Sequence, residues 1–137
     1  MMLLFFACVS QERFFTEYDI SAQVTNPSSG STHHATLLHE WVGEGDLRYP
    51  MFPLDETSFS GERLESWLVL VEQNQGEGLA LFIWEDLDAD GVHCALDGSE
   101  ERSGLILLNS EELVLNGELE LSNTCMGFER LYGLISN

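Results

Sequence analysis

From Tyr18 to Thr25 the chain alternates apolar and polar residues, with Tyr18, Ile20, Ala22 and Val24 set against Asp19, Ser21, Gln23 and Thr25. A period of two is that of a strand with one face buried, and it predicts the first strand here. Asn26, Pro27, Ser28, Ser29, Gly30 and Ser31 collect turn formers, so the chain reverses. A second strand is predicted over residues 32–42, with His33, Ala35, Leu37, His39 and Trp41 on one face and His34, Thr36, Leu38, Glu40 and Val42 on the other. Both faces carry apolar side chains. After Gly43 to Asp46, residues 47–60 hold Pro50 and Pro53, which exclude a regular helix or central strand and predict a long connection with a short edge segment.

Leu64 to Val71 and Leu79 to Trp84 are nearly continuous apolar runs on either side of a polar, glycine-bearing stretch, and they predict a hairpin of two central strands. Shorter runs follow at Leu105 to Leu108, Leu113 to Leu115 and Leu119 to Leu121, with Asn116-Gly117 marking a tight reversal. Phe128 to Ile135 is placed as the segment that closes the sheet. No amphipathic helix of three turns can be drawn, and Gly117 interrupts the one helical turn that Glu111-Glu112 could begin. The prediction is an all-β, antiparallel β-sandwich of about seven short strands, one domain over residues 11–137.

With 137 residues, 44% of them hydrophobic, the chain is long and apolar enough to bury one core. Its 14 aromatic residues lie in apolar runs, which separates it from disordered acidic chains. Charge narrows the partners. Five arginines, scattered singly, face 24 acidic residues for a net charge of -19, so neither a nucleic acid backbone nor an anionic lipid surface is an expected partner, whereas cations are.

Residues 1–10 are short for a bilayer span and carry no basic residue ahead of the apolar stretch, so they are taken as a clipped export signal. Leu4-Phe5-Phe6-Ala7-Cys8 resembles a bacterial lipobox, which implies lipidation of Cys8; an ordinary cleaved signal and a short N-terminal strand are the alternatives. Cys94 and Cys125 then remain, and they pair without remainder if the compartment is oxidising; two buried thiols are the other arrangement.

The segment Asp86-Leu87-Asp88-Ala89-Asp90-Gly91-Val92 carries the clearest chemistry. Calcium takes six to eight oxygens, and its loops supply carboxylates at positions 1, 3, 5 and 12 and a carbonyl at 7, with glycine at 6 for the sharp turn. Asp86, Asp88, Asp90, Asp97 and the carbonyl of Val92 occupy those ligand positions, and Gly91 the glycine position. Close carboxylates repel one another by roughly a few kcal/mol per pair, which a cation relieves. A strand precedes the loop where calcium sensors have a helix, so a structural ion is expected in place of a switch. An unliganded acidic turn and a different divalent ion are the alternatives.

A strand, an Asp-x-Asp-x-Asp-Gly loop and then Glu100-Glu101-Arg102-Ser103-Gly104 together resemble the secreted transthyretin-like β-sandwich domains of bacterial lipoproteins. The resemblance spans roughly Leu64 to Leu108, with Asp88 and Asp90 where that family more often has asparagine. It implies a periplasmic or surface sandwich with a metal-braced loop and no catalytic residues.

The sequence contains no Gly-x-Ser-x-Gly, no phosphate-cradling loop and no His-Glu-x-x-His. His33 and His39 would stand about 20 Å apart along a strand, too far for one ion, and adjacent His33 and His34 face opposite ways. All three are therefore expected to face solvent or to be hydrogen-bonded, and His93 beside Cys94 to be a spectator. Among the aromatics, Trp67 and Trp84 are expected inside, leaving Trp41 and Tyr49 for a sugar-stacking platform. The sequence thus predicts a non-enzymatic, exported, calcium-stabilised lipoprotein at the periplasm or outer surface, or alternatively a carbohydrate-binding or adhesion module with a carbohydrate or protein ligand. Its only route to a membrane is the lipid anchor.

Overall fold

A computed structural model describes residues 13–42, 48–72, 78–94 and 101–123, with the side chains of 40–42 and 48–52 left out of the description. Its eight strands are β1 (Phe15–Val24), β2 (Thr32–Val42), β3 (Arg48–Ser60), β4 (Arg63–Glu72), β5 (Gly78–Asp86), β6 (Arg102–Leu108), β7 (Val114–Leu119) and β8 (Ser122–Asn123). They form one sheet in the order β4-β1-β7 and a second in the order β3-β2-β5-β6-β8, and no helix occurs among the described residues. The molecule is an all-β sandwich.

The alternation over β1 places Tyr18, Ile20, Ala22 and Val24 in the core. Ala35 and Leu37 of β2, Leu79, Leu81 and Ile83 of β5, and Leu115 and Leu119 of β7 complete the layer between the sheets. A second apolar cluster, Leu38, Ala80, Phe82 and Trp84, is buried on the opposite face of β2 and β5. That explains the unbroken apolar run of β5: all of its residues are buried.

Four expectations change. β4 and β5 do not pair as a hairpin, since β4 joins β1 and β5 lies between β2 and β6 in the other sheet. The runs looked alike, but in β4 Leu68 and Leu70 point outward and only one face packs. Residues 48–60 form a strand of 13 residues instead of a loop. Its prolines are tolerated because β3 is a sheet edge, and the pairing slips beside Pro53. Asn116-Gly117 is no turn but the middle of β7, which runs parallel to β1, so the sandwich is not wholly antiparallel. Glycine fits there because a Cβ at Gly117 would stand 2.5 Å from Ile106 Cδ1 across the sandwich, so that the end of the Ile106 side chain would have to move aside. Phe128 to Ile135 lies outside the described residues.

At one end of the core the 25–31 turn is clamped by Glu85, which is fully buried. Its carboxylate accepts from Ser28 N at 2.6 Å, Ser28 Oγ at 3.1 Å, Ser31 Oγ at 2.7 Å, and Arg102 Nε and Nη2 at 3.0 and 2.6 Å. Arg102 also donates to Asn26 O at 2.8 Å, so one ion pair ties the turn to β5 and β6. Burial alone would raise the Glu85 pKa, but the bonds from Ser31, Arg102 and Ser28 outweigh it and hold the group below the ordinary carboxylate value.

Two buried histidines act in the same direction. Burial lowers His33 and His39 below the ordinary 6.5, against the opposing pull of Glu85 on His33 and of the Gly78 backbone on His39. A depressed folded pKa contributes stability that is present above the unfolded value and lost as pH falls through the folded one. In chelator, the unfolding temperature is therefore expected to fall as pH drops below 6.5, with Glu85 adding its loss at lower pH. His33→Leu should flatten the first part of that slope, and an unchanged slope on thermal unfolding would contradict the assignment.

Candidate metal centre

β5 ends at Asp86, and residues 87–94 curl back over the sheet through three left-handed positions, Ala89 (φ 62°), Gly91 (φ 74°) and Cys94 (φ 55°). The aspartates drive this curl by accepting from backbone N–H groups a few residues on. Gly91 N donates to Asp86 Oδ2 at 3.1 Å, Asp90 N to Asp88 Oδ1 at 3.1 Å, and Val92 N to Asp90 Oδ1 at 2.7 Å. Each bond fixes one carboxylate oxygen, and the carboxylates converge. One oxygen each from Asp86, Asp88, Asp90 and Glu101 lies within 4.8 Å of the others.

Glu101 is the residue that the sequence reading missed. It is fully buried, just before β6, and both of its oxygens are held by the loop, Oε1 by Leu87 N and Oε2 by Cys94 N, each at 3.0 Å. Burial raises its pKa, and the charges of Asp86 and Asp88 push the same way against the two N–H bonds. Without a cation, then, ionised Glu101 destabilises the fold, a contribution opposite in sign to that of Glu85.

Asp86 is as deep, with a side chain 6% exposed. Its Oδ2 meets Gly91 N and, at 3.3 Å, His34 Nε2, whereas buried Oδ1 has no hydrogen-bond partner. A buried carboxylate oxygen without a donor is costly, and it lies in the cluster where a cation would meet four carboxylates. The donor set is all oxygen, which suits a hard ion and not a soft one.

Of the residues picked from the sequence, Asp86, Asp88, Asp90 and Val92 are brought together in this loop. Asp97 lies outside the described residues, as do Cys8 and Cys125. Cys94 belongs to a second grouping, with His93 and Glu101, whose atoms also lie within 4.8 Å of one another.

The histidines depart from expectation. His33 and His39 are buried, and their ring nitrogens have only loose polar neighbours among the described residues, the backbone of Gly61 and a Glu85 oxygen 3.7 Å from Nε2 for His33 and the backbone of Gly78 for His39. The cause is the position of β2, covered by neighbours on both sides and apolar on both faces. His34 stacks on Trp84 with ring centroids 4.4 Å apart, and His93 approaches Trp84 at 5.1 Å.

A cavity of about 230 Å³ opens beside the loop between His34, Thr36, Glu56, Thr57, Trp84 and His93. Trp84 lines this cavity but is only 7% exposed, and Trp67 is half-buried against the core. Neither is a stacking platform, in line with the sequence, and the side chains of Trp41 and Tyr49 lie outside the description. No protein-family model, curated protein or solved structure matches this chain, so the site rests on its own geometry.

Proposed function

We propose that the protein is a non-enzymatic, exported β-sandwich whose loop after β5 holds a structural calcium ion. Two observations carry this reading: one carboxylate oxygen each from Asp86, Asp88, Asp90 and Glu101 lies within 4.8 Å of the others, and Asp86 Oδ1 is buried without a donor among the described residues. Glu101 takes the role first given to Asp97 as the deep carboxylate, and the Val92 carbonyl remains the candidate for the position-7 ligand. Calcium fits better than magnesium, because a loop bearing four carboxylates suits a large, flexible shell and not a strict octahedron that keeps its waters.

Export is supported by the lipobox-like Leu4 to Cys8, and a Cys94–Cys125 disulfide is proposed to accompany it. A lipid on Cys8 would hold the domain at a periplasmic or outer membrane surface. Transthyretin-like ancestry stays a proposal, resting on the loop alone.

Calorimetric titration of calcium into chelator-stripped protein tests the metal reading. One equivalent is expected to bind, magnesium much more weakly, and Asp86→Asn should remove most of the heat. Absence of any calcium heat, together with an unchanged unfolding temperature, would overturn it.

A further inference from the structure

The outer face of the β4-β1-β7 sheet carries exposed apolar side chains beside its polar ones. Leu68 and Leu70 of β4 are 61% and 64% exposed, Phe15 of β1 is 54% and Val114 of β7 is 56%. Register places them together: Leu68 pairs with Asp19 and Asp19 with Val114, while Leu70 pairs with Glu17 and Phe15 with Glu72. An acidic stripe, Glu17 and Asp19, thus runs between apolar borders. Asp19 is partly engaged, accepting from Ser66 Oγ at 2.6 Å, and Glu72 is met by Arg13 at 3.5 Å. Grouped exposed apolar residues of this kind mark contact surfaces, whereas single ones do not.

We infer that this face docks a protein segment one face of which sets basic residues between apolar ones. The inference is independent of the metal centre, which lies on the other sheet. Charge selects the partner: a second copy would set Glu17 and Asp19 against acidic residues and bring one net charge of -19 onto another. An anionic lipid surface is disfavoured on the same ground. A cationic segment that carries basic and apolar residues on one and the same face satisfies both components, its basic residues over the stripe and its apolar residues against Leu68, Leu70, Phe15 and Val114.

The test is an NMR titration of the full chain with a synthetic peptide whose every second residue reads leucine, lysine, leucine with serines between, beside a peptide of equal charge with serine in place of the leucines. The leucine peptide is expected to shift resonances of residues 15–19, 66–72 and 113–116. Its affinity should fall about tenfold or more in Leu68→Ser/Leu70→Ser, whose exposed positions leave folding intact, and several-fold in Glu17→Gln/Asp19→Asn. Equal binding of the serine peptide, or an unaltered affinity in the leucine variant, would reduce the effect to net charge and overturn the inference. So would sedimentation showing a dimer that the leucine substitutions dissolve, which would make a second copy the occupant.

Discussion

Arg102→Met is expected to destabilise the folded chain by about 3 to 5 kcal/mol, because it leaves the Glu85 carboxylate buried without its counter-charge. Glu85 is fully buried and receives two of its hydrogen bonds from the guanidinium, while the same guanidinium reaches Asn26 O in the 25–31 turn. Ser28 and Ser31 would remain as donors, but neither carries charge. On thermal unfolding the loss corresponds to on the order of 10 to 20 °C for a domain of this size. Arg102→Met/Glu85→Gln should recover much of it, since a neutral amide can accept from Ser28 N and donate to the two serine hydroxyls. If the single variant unfolds within 2 to 3 °C of the parent, the pair does not anchor the turn.

The second large effect separates two carboxylates of the metal centre. Glu101→Ala removes a ligand and also the acceptor of Leu87 N and Cys94 N, so it should lower the unfolding temperature even in chelator. Leaving buried N–H groups unpaired costs about 1 to 3 kcal/mol each. Asp88 is exposed and, among the described residues, accepts from Asp90 N in its own loop. Asp88→Ala should therefore leave the chelator value nearly unchanged, the lost turn bond set against relief of repulsion with Asp86 and Asp90, while abolishing the response to calcium. A purely structural acidic turn would show no such division, because neither variant would then differ between calcium and chelator.

Part of this architecture was legible in the chain. The alternation of β1 and the apolar run of β5 encode burial directly, and both strands are where that pattern puts them. What periodicity leaves open is the strand's partner. Leu64 to Val71 and Leu79 to Trp84 are neighbours in sequence and apolar alike, yet they lie in opposite sheets, and only the outward Leu68 and Leu70 distinguish them. Pro50 and Pro53 forbid a central strand but not an edge, and an edge is a property of the whole sheet. Gly117 has the composition of a turn, whereas its cause is the approach of Ile106 from the facing sheet.

The metal loop divides in the same way. Asp86, Asp88, Asp90 and Gly91 lie within one turn of chain, and local spacing was enough to bring them together. Glu101 stands beyond that window in a run of charge with no periodic mark, and its role depends on the loop folding back until Leu87 N and Cys94 N meet its carboxylate. The burial of His33 and His39 was hidden too, since an imidazole on a mixed strand has no signature separating a packed ring from a solvated one.

The central claim is that a calcium ion resolves the carboxylates of Asp86, Asp88, Asp90 and Glu101. Its most direct test is the unfolding temperature of the oxidised chain in millimolar calcium and again in chelator. With a dissociation constant near 10 μM, calcium at a hundredfold excess should add about 2.7 kcal/mol, a rise of several degrees. The same unfolding temperature in both solutions would contradict the account.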